Sequence, residues 1–180
     1  MLNEIETIRN VKRVKELAHN CSTDSDLLNE LLSLILKSDD RSAIVASWIV
    51  SHAAEYTPEI IDSKISAQIL NRLKITQKGT IKRNLIRIFQ YVILKGKQSF
   101  ELLDVAFGFF ENPKEEIAVR AFSLTCLEKH LDQFPEIIPE IEFIIEREYE
   151  SLTPAFIARV RNFNKKIIKL NKLKSSKSLK

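Results

Sequence analysis

Apolar residues recur along this chain at three- and four-residue intervals almost from end to end. That interval places them on one face of a helix. The pattern predicts nine helices, over about 3–19, 25–37, 41–56, 58–74, 80–95, 98–111, 114–132, 136–151 and 154–172. The breaks between them carry stop-and-start chemistry. Thr57-Pro58 and Thr153-Pro154 each set a hydroxyl before a proline at the first helical position. The hydroxyl can accept an orphan amide there, and proline has no amide to lose. Asn112-Pro113-Lys114-Glu115 is a capping-box variant, Asp24 or Ser25 can cap the second helix, and Asp39 or Asp40 the third. Gly96 suits a left-handed helix C-terminus, and Gly79 falls in another turn. Pro139 would remove an amide from a helix opening at Pro135, so that helix is expected to start near Ile138 after a lead-in turn. The third segment, from Ser42 to Ala54, is apolar or small nearly all round. Such a helix is covered on most sides and should lie between two others.

The segments repeat. Pro58-Glu59-Ile60-Ile61-Asp62, Phe100-Glu101-Leu102-Leu103-Asp104 and Pro135-Glu136-Ile137-Ile138-Pro139 share one opening: Glu, then two aliphatics. Arg41, Arg83, Arg120 and Arg159 recur early in alternate helices, at steps of about 40 residues. A two-helix unit of that length is an α-solenoid signature, because each pair is too small to bury its own apolar face and needs a stacked neighbour. The stretch from Ile117 to Ile141, with Val119-Arg120 near its start and Pro135-Glu136-Ile137-Ile138-Pro139 before its second helix, resembles a HEAT repeat. The resemblance is clearest over 114–151, looser over 40–75 and faint over 79–111. It implies an all-α, right-handed α-α superhelix of about four and a half antiparallel helix pairs. One domain would cover 1–174, with a flexible basic tail over 175–180. It also implies that the recurrent arginines bond neighbouring repeats and loops, with Asp39, Asp40, Glu115 and Glu116 as nearby partners.

Composition agrees. Three glycines in 180 residues are few, since average usage would give roughly a dozen. Tight-turned sheets and phosphate-cradling loops usually need more. Cys21 and Cys126 have no metal-type spacing and read as small core residues. The first residues lack the basic and apolar regions of a signal peptide, and no apolar run approaches the ~18 residues of a membrane span. A cytoplasmic protein without membrane association is expected.

The net charge of +4 is modest, but its distribution is uneven. The segment 80–95 carries Lys82, Arg83, Arg87 and Lys95 without an acid, and 154–172 carries Arg159, Arg161, Lys165, Lys166, Lys169 and Lys172 without one. The segment 136–151 carries Glu136, Glu140, Glu142, Glu146, Glu148 and Glu150 against Arg147 alone. Glu136, Glu140, Glu142 and Glu146 form a candidate surface for a basic protein partner. Lys82, Arg83, Arg87, Arg159, Arg161, Lys165 and Lys166 form a candidate nucleic-acid surface, although no aromatics interleave with them to stack bases. Trp48, His52 and Tyr56, at i, i+4 and i+8, make an aromatic stripe. It suits either a ligand ring or, preferably, packing against the next repeat. Phe100, Leu103, Phe107 and Phe110 make one apolar face of the 98–111 helix, where Gly108 could admit a close neighbour.

Catalytic patterns are thin. His19, His52 and His130 belong to no metal-ligand motif, and the repeated His-Glu pairs of HEAT-type iron hydroxylases are missing. HEAT-like DNA alkylation-repair glycosylases use a basic concave groove with Trp, Asp and Arg. One Trp and acidic second helices depart from that plan. The expectation is a non-enzymatic interaction or scaffold module, monomeric or homodimeric, needing no cofactor or metal. The alternative is a nucleic-acid binder related in fold to the alkylation-repair proteins.

Overall fold

A computed structural model describes residues 5–177. Its α-helices are α1 Val11–Asn20, α2 Ser25–Lys37, α3 Arg41–Tyr56, α4 Ser63–Ile75, α5 Gly79–Ile88, α6 Lys97–Glu111, α7 Ile117–His130, α8 Ile138–Glu148 and α9 Pro154–Lys177. Single 3-10 turns occupy Ile5–Thr7, Pro58–Ile60, Pro135–Ile137 and Tyr149–Ser151. No strand occurs among the described residues. The chain divides into two compact units, Met1–Val105 and Ala106–Lys180, and the division falls inside α6.

In the first unit, α1, α3 and α5 pack side by side, and α2 and α4 lie against them. Helix α3 touches α1, α2 and α5, as its all-round apolar sequence predicts. Val45, Ala46, Ile49, Val50, Ala53 and Ala54 are all fully buried. The large aliphatics among them each contribute about 1.5–3 kcal/mol of burial. Short polar side chains start four of these helices. Asn10, Asp24, Asp40 and Asp62 accept from the amides of Lys12 (2.8 Å), Leu27 (2.9 Å), Ala43 (2.9 Å) and Ile65 (2.7 Å). Each satisfies one orphan donor. The Asn10 cap also corrects the first predicted helix, which begins at Val11 after a separate turn at Ile5–Thr7.

The repeated Pro-Glu-Ile motif has one local meaning. At Pro58–Ile60 and at Pro135–Ile137 it closes the same 3-10 turn, and the second helix of the pair follows. Asp62 then caps α4, so Thr57 is not the side-chain cap it was expected to be. Helix α8 begins at Ile138, because Pro139 is harmless only in the first turn. The third look-alike, at Phe100, lies inside α6 and opens nothing. Its ring is 57% exposed, so it leaves the predicted apolar face, whereas Leu103 and Phe110 are buried. A Cβ on Gly108 would meet no atom, so this glycine admits no close helix approach. Gly96 does take a left-handed φ of 57°, but it leads into α6 instead of ending α5, which stops at Ile88.

In the second unit α7 packs on α9. Asn112 closes a turn to Lys114 (3.0 Å) before α7, which therefore starts at Ile117, three residues later than predicted. Thr153 receives the Phe156 amide at 3.3 Å and caps α9. That helix runs to Lys177, through the first residues of the expected tail, and 178–180 lie outside the described residues.

Two of the recurrent arginines, Arg41 and Arg120, bond backbone carbonyls, with partners other than those nearest in sequence, while Arg159 donates to the Thr125 side chain. Arg41 donates to the carbonyls of Glu6 and Ile8 (3.3 and 2.8 Å), not to Asp39 or Asp40. Arg120 is 8% exposed, donates to the Phe110 carbonyl at 2.9 Å and pairs with Glu148, not with Glu115 or Glu116. Its guanidinium also lies over the Phe156 ring. Asp39 belongs to Arg72, an arginine outside the predicted series.

Candidate partner-binding face on α8

The sequence of α8, Ile-Pro-Glu-Ile-Glu-Phe-Ile-Ile-Glu-Arg-Glu, sorts by helical angle. Ile141, Ile144 and Ile145 turn inward and are buried. Glu140, Glu142 and Glu146 turn outward and are exposed, and Glu136 is exposed in the turn just before. None of these four carboxylates forms an ion pair among the described residues. The neighbouring Glu148 differs: it receives both Arg120 and Arg147. Burial raises its pKa, but the two arginines outweigh burial and hold it below the usual carboxylate range. Two rings stand out from the same element, Phe143 at 64% and Tyr149 at 51% exposure. An open groove of about 540 Å³ runs between α8 and α9, lined by Glu142, Ile145, Glu146, Tyr149, Val160 and Asn164.

The basic candidates are dispersed, and several are engaged. In the first unit Arg87 donates to Ser51 (3.1 Å), pairs with Glu55 and lies over the Tyr91 ring at 5.7 Å. Arg83 is half-buried on the same helix, and Lys82 also has an interaction partner. In the second unit Lys166 pairs with Asp132. Arg159 donates to Thr125 and sits 4.6 Å over the Phe122 ring. Aromatics thus do accompany the arginines, but as internal supports. Arg161 and Lys165 remain exposed on α9 without an ion pair among the described residues.

Trp48, His52 and Tyr56 form a ladder of rings on α3, with centroids 6.5 and 6.3 Å apart. The ladder continues onto α1, where His19 stacks on Tyr56 at 4.1 Å and 3°. His52 Nδ1 lies 3.1 Å from Glu55, which joins the ladder to Arg87. Burial and the Arg87 charge lower the His52 pKa against the pull of Glu55. Burial raises the Glu55 pKa, but Arg87 and His52 lower it on balance. His19 and Arg87 were invisible as members of this stripe, because they lie on other helices. His130 is fully buried and its Nδ1 donates to the Cys126 carbonyl at 2.9 Å. Among the described residues no group of three or more His, Cys, Asp or Glu is placed to hold a metal ion. No helix among them is long and apolar enough to cross a membrane.

Successive paired helices, with no strand among the described residues, define an all-α repeat protein of the solenoid class. The HEAT repeat domain family matches residues 1–167, and the chain belongs to that family. Repeats of this kind commonly mediate protein interactions. No curated protein matches the chain, and no solved structure does.

Proposed function

We propose that this protein is a non-enzymatic interaction module that takes a basic segment of a partner protein on α8. The observation that carries the reading is the contrast in charge compensation. Glu55, Glu101, Glu148, Asp39 and Asp132 each hold a cation of the chain, whereas Glu136, Glu140, Glu142 and Glu146 hold none among the described residues. Outward carboxylates beside exposed rings offer both steering charge and apolar contact to a cationic partner. The test is fluorescence anisotropy of a labelled lysine- and arginine-rich peptide with the full chain. Reversing Glu140, Glu142 and Glu146 to Lys should abolish binding, while reversing the exposed Asp26 and Glu30 of α2 should not. Equal binding by both variants would refute the proposal.

A second reading has one observation of its own. Arg161, Lys165 and Lys169 are exposed at i, i+4 and i+8 on α9, a cationic row able to meet phosphates. A gel shift with single- and double-stranded DNA decides it, since binding through this row must weaken steeply with salt and with charge reversal of those three residues.

A further inference from the structure

The groove between α8 and α9 has a floor, a wall and a rim made of different chemistry. Ile145 and Val160 supply an apolar floor, 8% and 3% exposed. The exposed Tyr149 ring supplies one wall. Glu142 and Glu146, one helical turn apart, and Asn164 from the opposite helix supply the rim. Helix α9 is strongly basic, yet it turns Val160 and Asn164 into the groove. Its Lys166 goes to Asp132 and its Arg159 to Thr125. The two rim carboxylates therefore face the groove with no cation of their own among the described residues.

We infer that this groove reads an arginine side chain of the partner and prefers it to lysine. This rests on the reading of α8 as the partner-binding face. The occupant's methylene stem would lie on Ile145 and Val160. Its planar fork would donate to the Glu142 and Glu146 carboxylates, and to the Asn164 amide oxygen, while stacking on Tyr149. An ammonium matches the charge but lacks the fork and the flat face, and it is more strongly hydrated. At about 540 Å³ the groove is in the size range of small-molecule sites, so it takes one long side chain with the backbone that carries it.

The experiment uses the full chain and three labelled twelve-residue peptides of one sequence. Their three basic positions are all arginine, all lysine, or all citrulline, a neutral isostere. At low salt the arginine peptide should bind about tenfold more tightly than the lysine peptide, and the citrulline peptide should not bind measurably. Tyr149→Leu keeps an apolar wall on an exposed position and should shrink the arginine preference to about twofold, weakening the arginine peptide more than the lysine peptide. Glu146→Gln should weaken both cationic peptides, and far-UV circular dichroism checks that each variant folds. Equal affinity for arginine and lysine overturns the arginine pocket while the acidic-face reading stands. So does a preference that survives Tyr149→Leu intact. Failure of both cationic peptides to bind overturns the pocket and the acidic-face reading together.

Discussion

Replacing Arg72 with Ala should destabilise the first unit by about 3 kcal/mol. Arg72 sits in the last turn of α4, only 7% exposed. Its Nε donates to the Ile35 carbonyl and one terminal nitrogen to the Ser38 carbonyl, both at 2.7 Å. These are unsatisfied acceptors at the C-terminal end of α2. A hydrogen bond from a charged donor contributes about 1.5–3 kcal/mol. The Ile35 bond belongs at the top of that range, because Ile35 is fully buried and water cannot replace the donor. Ser38 is half-buried and can recruit water, so its share is smaller. The ion pair with Asp39 adds little, about 0–1 kcal/mol, since that carboxylate is 37% exposed. Asp39 also keeps a 2.8 Å bond from Thr76.

The assay follows from the composition. Trp48 is the one tryptophan, and it lies in α3 of the same unit as Arg72. Urea unfolding followed by its fluorescence therefore reports the unit in question. In a thermal melt followed by the same fluorescence, Arg72→Ala should lower the melting temperature of this unit by about 12–24 °C, Arg72→Lys by roughly half as much, and Asp39→Asn by about 2–4 °C. A loss under about 1 kcal/mol for Arg72→Ala would refute the carbonyl-bonding argument. Equal losses for Arg72→Ala and Asp39→Asn would show that the ion pair, not the carbonyl bonds, is the link.

Two further outcomes follow from titration and burial. Burial and Arg87 lower the folded pKa of His52, so the unfolded chain takes up the proton first as pH falls through the usual histidine range near ~6.5. The urea midpoint read by Trp48 should therefore decline from pH 7.5 to 5.5, and His52→Gln should flatten that decline. An unchanged slope in the variant, which retains His19 and His130, would assign the proton elsewhere. Burial, with Asp24 nearby, pushes the Cys21 thiol up to about 11, and burial raises Cys126 further. Both should resist a disulfide reagent at pH 8 in the folded chain and react within seconds in urea. Fast native labelling of either would contradict its closed packing.

Local chemistry was the part legible in the sequence. Asp24 and Asp40, each one of two neighbouring candidates, cap their helices, and Pro139 places the start of α8 near Ile138. Boundaries slipped where competing caps were close together, as at Thr57 and Asp62, since both can begin a helix and only one can face its amides. The outward carboxylates of α8 were legible as well, because a surface face on a helix needs no distant partner to be a face.

The α8 acidic stripe and the helix periodicity depend on neighbours within about four residues, so the sequence alone determined them. The charge partners depend on stacking. Asp39 meets Arg72 across 33 residues, Glu55 meets Arg87 across 32, and Asp132 meets Lys166 across 34. Each separation is somewhat shorter than the repeat step of about 40 residues, and several cations within that distance were equally eligible. Only the packed helices chose among them, by burying some side chains beside one carboxylate and turning others to solvent. The groove at Tyr149 has the same origin: α8 provides three of its lining residues and the turn after it provides Tyr149, but Val160 and Asn164 arrive from α9. A concavity between two helices exists only once their axes are set by the core beneath them.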